Sequence, residues 1–424
     1  MTTIGPAQLM SAIGDVLQND DTDKRLGIYL HVPFCRSKCH FCDWVVDIPV
    51  RRLRYDEGER RDYLDALRHQ IRLYGPLLTG LGYRPDVMYW GGGTPTRLSP
   101  GELDDLAITV AESFDLSTLR QWTVETTPND LTEDRAAALR EAGVDRMSIG
   151  AQSLSAYQLR VSGRAHTSDD VLRSIQMVRE GGIENFNVDL ICGFPGESLE
   201  SLEQTFDTLL PMDPPHVSVY PYRATPKTVM AMQLSREQVA AHDRTAMISS
   251  YELAMDRLRA AGYHEYCHGY WVRDPAHEDH DGNYKYDLAG DKIGFGSGAE
   301  SIIGHHLLWN ENRKYEEYLE HPDQFTAATR FRLDEPSALT APVGGAFMTR
   351  DGVDYARFAR LTGLSFHDVR ETPYFRRWLE VLTDCGAKFV ETGTALRMEA
   401  DTIHRAYITH LAYTMYAGLT PERA

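Results

Sequence analysis

Gly27-Ile28-Tyr29-Leu30-His31-Val32-Pro33 runs without a break into Phe34-Cys35-Arg36-Ser37-Lys38-Cys39-His40-Phe41-Cys42. The first half is short, apolar and β-branched, the composition of a buried strand. The second half sets Cys35, Cys39 and Cys42 on one tight loop where that strand ends. In parallel α/β folds the chemistry sits in loops at the C-terminal ends of strands.

The same alternation continues downstream. Further strands are predicted at Asp86–Trp90, Gln121–Thr126, Arg146–Ala151, Phe186–Ile191 and His216–Tyr222. Helices are predicted between them at Glu59–Leu73, Gly101–Ser113, Glu133–Ala142, Asp169–Glu180 and Glu200–Leu210. Ser99-Pro100-Gly101-Glu102 reads as a capping box with proline in the first turn. Gly143 and Gly181 follow helices, where a left-handed cap is expected. Strand–helix alternation implies parallel strands joined by right-handed crossovers. Six units are too few for a closed eight-stranded barrel, so the fold class is α/β with a partial (β/α)6 barrel.

The pattern stops near Lys227. Ser235-Arg236-Glu237-Gln238 is a second capping box, opening a helix to about Ala260. An aromatic and histidine-rich run, 263–271, reads as a half-buried strand or a substrate-gripping surface, and a glycine-rich strip follows at Gly290–Gly304. His264, His268 and Glu300 are candidate proton acceptors that nothing in the sequence ranks. Helices around Tyr355–Leu361 and Thr372–Asp384, a two-strand pattern at Lys388–Met398 and a helix at Asp401–Tyr416 predict a mostly α region with a small winged-helix-like unit. The expected organisation is an N-terminal extension at 1–26, the barrel at 27–234 and a substrate-binding domain at 235–424.

With 42% hydrophobic and 25% charged residues, the 424-residue chain has the composition of a globular protein, not of a disordered one. Lys and Arg number 44 against 62 Asp and Glu, and a net charge of −18 repels phosphate backbones, so no nucleic-acid partner is expected. A small molecule or a protein is expected instead. No stretch approaches the ~18 apolar residues of a membrane span, and the N-terminus lacks a signal peptide's basic and apolar regions. A cytoplasmic location is expected.

Six cysteines are too few for a disulfide framework. Cys192, Cys267 and Cys385 are scattered and read as buried small hydrophobes. The triplet reads differently. Structural zinc wants four ligands, and no fourth stands at suitable spacing, since His40 inside the loop would be strained. A [4Fe–4S] cluster held by three thiolates would keep one iron open for a non-protein ligand, such as the amino and carboxylate groups of S-adenosylmethionine (SAM). Zinc, unrelated cysteines and the cluster are the three readings of the loop.

Tyr29 to Cys42, Gly91-Gly92-Gly93-Thr94-Pro95, Glu125, Ser148 to Ser153, Arg164 and Asn187 to Ile191 follow one another in an order that resembles the radical SAM superfamily, and within it the HemN-like family. The resemblance is firm over 28–222 and looser through Gly294–Ala299. It implies catalytic, cluster-ligating roles for Cys35, Cys39 and Cys42. It implies that Tyr29, Phe41, Gly92, Gly93 and Thr94 line the first SAM and that Glu125 meets its methionine moiety. Gln152 and Asp189 would be polar anchors, and Arg164 would bind a carboxylate. A second SAM is implied near Gln152, Ile191 and the segment after Tyr222, with Ile191 an apolar wall. An electron donor such as flavodoxin or ferredoxin is an implied partner, and a methyltransferase-like protein is a further candidate. Asp189, in an apolar strand, needs a partner on physical grounds alone.

Two departures bear on the branch. Trp44 stands where the porphyrinogen oxidases of the family carry a fourth cysteine. Gly282-Asn283-Tyr284-Lys285-Tyr286-Asp287 lacks the His and the Trp of the heme-trafficking signature His-Asn-x-x-Tyr-Trp. By exclusion, the expectation is the third branch, the class C methyltransferases and cyclopropanases. These use two SAM molecules to transfer a one-carbon unit to an sp² carbon of a natural-product intermediate. The alternatives are oxygen-independent coproporphyrinogen III dehydrogenation and a non-catalytic heme chaperone. The roles of Trp44 and Arg223 and the identity of the acceptor are not legible.

Overall fold

The computed structural model describes residues 2–17, 24–42, 57–222, 228–233, 247–286, 291–303, 306–309, 315–329, 339–384 and 387–399. The six predicted strands are present as β2 (Arg25–Val32), β3 (Arg84–Gly92), β4 (Gln121–Thr126), β5 (Arg146–Gln152), β6 (Asn185–Cys192) and β7 (His216–Pro221). A short strand, β1 (Thr2–Ile4), and a helix, α1 (Pro6–Leu17), precede them. From β2 to β7 every strand is parallel to the next and lies beside it in sequence order. The crossovers are α2 (Glu57–Gly80), α3 (Pro100–Ser113), α4 (Glu133–Ala142), α5 (Ala156–Val161) with α6 (Ser168–Glu180), and α7 (Leu199–Leu209).

Local chemistry accounts for the element ends. Both hydrogen bonds of the Ser99–Glu102 capping box form, with Pro100 in the first turn of α3. Gly143 takes the left-handed cap at φ 105°, but Gly181 stays right-handed at φ −71°, and Gly182 supplies the left-handed residue at φ 77°. Helix α2 runs two turns past its predicted end because Pro76 is accommodated inside it.

The sheet extends beyond the six expected strands. Strand β10 (Asp291–Phe295) adds parallel to β2, and β11 (Glu300–Ile303), β12 (His306–Trp309), β13 (Phe325–Thr329) and β1 continue antiparallel from it. On the other edge, β9 (Tyr270–Val272) pairs antiparallel with β7, and β8 (His264–Cys267) pairs with β9. The glycine-rich strip is thus two strands and their turn. A side chain at Gly294 would lie 2.5 Å from the Glu300 carbonyl, and one at Gly296 would lie 2.6 Å from the Tyr63 hydroxyl. Close approach explains Gly294 within β10, and at Gly296 it joins a left-handed φ of 102° in the turn that follows. The aromatic run 263–271 is the β8–β9 hairpin with Tyr266, Tyr270 and Trp271 buried, so its aromatics are core.

A second apolar core, with Phe347, Phe358, Phe375 and Trp378, lies under a three-stranded sheet of β14 (Val353–Asp354), β16 (Ala395–Met398) and β15 (Phe389–Glu391). Helices Tyr355–Thr362 and Pro373–Asp384 pack there, giving the expected small helix-and-hairpin unit. Cys192 and Cys267 are buried. Helix Met247–Ala260 is described; the capping box at 235–238, Cys385 and the predicted terminal helix lie outside the described residues, as do Trp44 and Arg223. Among the described residues no helix is long and apolar enough to cross a membrane.

Candidate functional site

The barrel interior is polar. Ser148, Gly150 and Gln152 alternate inward along β5, and Asn187, Asp189 and Ile191 do so along β6. They line a cavity of about 610 Å³ that opens beside the cysteine loop. Every site residue predicted from sequence lines this cavity: Cys35, Cys39, Cys42, Tyr29, Phe41, Gly92, Gly93, Thr94, Glu125, Gln152, Arg164, Asp189 and Ile191.

The loop is held by its backbone. Gly93 N donates to the Val32 carbonyl at 2.8 Å, and Thr94 N donates to that of Phe34 at 2.9 Å. His40 N donates to the Ser162 carbonyl at 2.9 Å, and Met230 N donates to that of His40 at 2.8 Å. The His40 ring joins in, its Nδ1 lying 2.8 Å from the Val161 carbonyl. This ties His40 to the end of α5 and gives it a structural task in the loop. The three cysteines are half-buried on the cavity wall.

Their chemistry fits a multinuclear cluster. Burial first, then the neighbouring Cys39 and Cys42, push the Cys35 thiol up to about 12. Three adjacent thiolates therefore need positive charge, and a coordinating metal removes thiol protons outright. A cluster takes one thiolate per iron. Arg164 adds charge, donating from Nη1 to Cys39 Sγ at 3.2 Å while Nη2 donates to the Gly150 carbonyl. Its Nε is buried without a partner. Thr94 Oγ1 stands 4.0 Å from Cys35 Sγ.

Glu125 is fixed before any ligand arrives. Tyr89 O–H donates to its Oε1 at 2.7 Å, and Gly92 N donates to its Oε2 at 3.1 Å. The glycines make this possible. A Cβ on Gly91 would lie 2.7 Å from Glu125 Oε2, one on Gly92 would fall on the His31 ring, and one on Gly93 on the Pro33 carbonyl group. Contacts within the protein therefore already require all three. Gln152 sits at φ 68°, at a register shift between β5 and β6, an unusual backbone state that aims its side chain inward.

Tyr29 is part of the same wall. Its hydroxyl lies 3.1 Å from His31 Nδ1, and Lys292 Nζ lies 5.4 Å from its ring centre. Burial and the Glu125 charge hold its phenol well above the ordinary range. Phe41 packs on Phe194 at 5.7 Å, and with Ile191, Tyr222 and Met230 forms the apolar side.

Asp189 has the partners its position demanded. Ser148 O–H donates to one oxygen at 2.9 Å, and Asn187 Nδ2 donates to the other at 2.8 Å. Burial raises its pKa above the ordinary carboxylate value, although these two bonds and the Arg146 charge act to lower it. Several residues were missed by the sequence reading: Tyr89, Arg146, His216, Tyr266, Asp279, and the Lys292–Asp281 pair at 2.8 Å. Arg146 carried a signal, a charge in the inward register of a strand that also holds Ser148 and Gln152. Of the three ungraded proton acceptors, Glu300 lines the cavity, while His264 is on the outer edge at β8 and His268 lies beside Glu265.

Parallel strands, a three-cysteine loop at their C-terminal ends and a polar cavity beneath it define a radical SAM protein. Residues 29–209 match the Radical SAM superfamily. The chain is 34% identical over 281 residues to the heme chaperone HemW of Bacillus subtilis (65% of this chain, 70% of that one). It is 31% identical to HemW of Escherichia coli (66% and 70%) and 32% identical to the oxygen-independent coproporphyrinogen III oxidase of Paracoccus denitrificans (57% and 52%). The solved structure of coproporphyrinogen III oxidase HemN from Escherichia coli superposes with a TM-score of 0.74 at 20% identity, over 97% of this chain and 94% of that one. The chain belongs to the HemN/HemW-like family of radical SAM proteins.

This corrects the branch. The expected class C methyltransferase or cyclopropanase, and the natural-product acceptor with it, are overturned, because these relatives are heme chaperones and coproporphyrinogen oxidases. A likeness that spans 281 residues outweighs two short departures, at Trp44 and 282–287.

Proposed function

We propose that the protein is a heme-binding radical SAM protein of the chaperone kind, with a [4Fe–4S] cluster on Cys35, Cys39 and Cys42 and SAM in the cavity below. When bound, the reduced cluster supplies one electron for cleavage of a SAM carbon–sulfur bond. The chain's own residues hold the cofactor. Glu125, pre-set by Tyr89 and Gly92, receives the methionine ammonium; Arg164 serves its carboxylate side; Asp189 and Gln152 take hydrogen bonds from the remainder. Phe41 and Ile191 exclude water from the apolar side. A second SAM would occupy the stretch from Gln152 and Ile191 to Tyr220. A one-electron donor, flavodoxin or ferredoxin, would reduce the cluster from the open side of the loop.

One observation favours heme binding over porphyrinogen oxidation. Away from the cysteine loop the cavity presents Asp189, Asp279, Asp281 and Glu300, against Lys292 and the underlying Arg146. Lys292 is already paired with both oxygens of Asp281 at 2.8 Å. Coproporphyrinogen must enter the cavity to react, and its four carboxylates would meet this excess of negative charge at low dielectric. Heme carried by a chaperone need not enter. Since the signature His is absent, its iron would take a ligand from another side chain.

The test is anaerobic reconstitution followed by heme titration and porphyrinogen turnover. About four irons per chain, a saturable shift of the heme absorbance and no carbon dioxide from coproporphyrinogen support the reading. Carbon dioxide release at the rate of 5′-deoxyadenosine formation overturns it in favour of the oxidase. Changing the three cysteines together to Ala should abolish iron loading and leave the barrel folded, as the loop lies outside the core.

A further inference from the structure

Beneath the cavity runs a buried chain of hydrogen bonds whose direction can be worked out from one end. The main-chain N–H of Asp279 donates to the Tyr266 oxygen at 2.7 Å. The Tyr266 hydroxyl hydrogen then needs an acceptor, and His216 Nε2 stands 2.8 Å away. His216 is fully buried, and burial, then the charge of Arg146, holds its pKa well below the ordinary value, so the ring is neutral. With Nε2 accepting, the proton sits on Nδ1, which donates to Asn187 Oδ1 at 2.7 Å. Ser218 O–H donates to the same oxygen at 3.0 Å. The Asn187 amide is thereby oriented. Its Nδ2 donates to Asp189 Oδ1 at 2.8 Å and to Ser148 Oγ at 2.8 Å, and Ser148 O–H donates to Asp189 Oδ2.

Every donor points toward Asp189, so the carboxylate accepts at both oxygens. A carboxylate has about four acceptor positions. Two are filled by the protein, and the others are left for the cavity that Asp189 lines. We infer that His216 is a positioning residue for the cofactor pocket: through Asn187 it holds Asp189 as an anion with its free acceptor positions turned to SAM. This rests on the proposed SAM site. If the amide of Asn187 turned over, its oxygen would oppose Asp189 Oδ1, and the carboxyl group would have to bind a proton. The other ionisable groups around this set are Arg146 on β5, Tyr89 on β3, Cys267 on β8, Tyr270 on β9, and Asp279 and His277 in the segment after β9. Arg146 Nε is buried without a hydrogen-bond partner and the guanidinium meets Asp279 only at 3.8 Å, so its charge is shared over both carboxylates.

The experiment measures SAM affinity of the iron-loaded protein, with its cluster oxidised, across pH. The variants are His216→Phe, Tyr266→Phe and Asp189→Asn, and ¹⁵N-histidine NMR accompanies them. With Asp189 held as an anion by this chain of bonds, wild type should bind SAM with a flat profile between about pH 6 and 8.5. His216→Phe should bind about fivefold or more weakly at the acid end and recover as pH rises, because the released Asp189 must first lose a proton. Tyr266→Phe should shift the profile the same way by less. The NMR signal lost in His216→Phe should belong to an Nδ1–H tautomer that does not titrate in that range. An Nε2–H tautomer, or variants that keep a flat profile and wild-type affinity while Asp189→Asn binds weakly, overturns the role of His216. Wild-type affinity in Asp189→Asn overturns the SAM site instead. Should His216→Phe fail to load iron, Tyr266→Phe, which removes one oxygen, decides by the same criterion.

Discussion

Arg164 donates to the sulfur of Cys39 across 3.2 Å, although 125 residues separate them in the chain. The contact joins the loop after β2 to the segment after α5, and so joins the sulfurs proposed to hold the cluster to the side chain proposed to serve the SAM carboxylate. The bond to the Gly150 carbonyl fixes the other end of the guanidinium on β5.

Replacement of Arg164 should therefore act on two quantities. Arg164→Ala should lower 5′-deoxyadenosine formation about tenfold or more, as hydrogen bonds to charged groups contribute roughly 1.5–3 kcal/mol. It should also move the cluster's reduction potential down, since a positive neighbour of a cluster sulfur is lost. Arg164→Lys keeps the charge and loses the fork, so potential should recover more than turnover. Potentiometry and a turnover assay on the same sample check this; an unchanged potential in Arg164→Ala would rule out the sulfur contact.

Tyr89 is a supporting residue that turnover assays alone would miss. Tyr89→Phe removes the O–H that orients Glu125 and leaves the ring in place. SAM affinity should fall about fivefold, corresponding to a hydrogen bond of roughly 1 kcal/mol. Iron content should stay at the wild-type level. Calorimetric titration with SAM measures it, and Glu125→Gln should weaken binding further because the charge goes too.

Much of this site was legible because its residue types are constrained by chemistry at fixed spacing. Strand alternation puts the cysteine triplet and Glu125 near C-terminal strand ends, whereas Arg164, which follows α5, is legible only through the family resemblance. The hydrogen-bonded floor was not legible. His216, Tyr266 and Asp279 come from a strand, a returning hairpin and the turn before a helix, and only the closure of 264–286 under the barrel brings them together. The sheet's extent was hidden for a related reason. Strands β10 and β11 are short, and Gly294 in β10 and Gly296 in the turn after it stand where the chain crowds Glu300 and Tyr63, so the apolar alternation that marks a strand is interrupted. The branch was misread because short signatures can vary while the scaffold around them is kept.

Gly93→Ala should be more damaging than its size suggests. The added methyl would fall on the Pro33 carbonyl group, which is backbone and cannot rotate away. The chain would have to shift where Gly93 N bonds Val32 and Thr94 N bonds Phe34, one residue before Cys35. The expected result is a folded protein with a displaced cysteine loop and at least a severalfold loss of reconstituted iron. Gly101→Ala, at a glycine with open space around it, is the control and should load normally. Equal iron in both variants would show that the loop tolerates the shift.

Glu197 gives the protein a pH-dependent stability of predictable sign. It lies in the loop after β6, accepts from Gly193 N at 2.6 Å, and burial raises its carboxyl to about 7. An unfolded chain would return it to about 4.3. Between those values the folded state binds a proton that the unfolded state does not, so stability is fully present below the unfolded pKa and falls as pH rises through about 7. A shift of this size corresponds to a few kcal/mol at most, at about 1.4 kcal/mol per unit. The same loop carries Phe194, which packs on Phe41 beside Cys42, so its loosening at high pH should reach the cluster. Glu197→Gln keeps an oxygen for Gly193 N and cannot ionise. Its melting temperature should hold steadier from pH 5 to 8 than that of wild type, and its iron should be retained longer at the alkaline end. Thermal melts of the two proteins across that range, with iron assayed after each, check both. Parallel wild-type and Glu197→Gln curves would mean that Glu197 ionises in the folded protein much as it does in an unfolded chain.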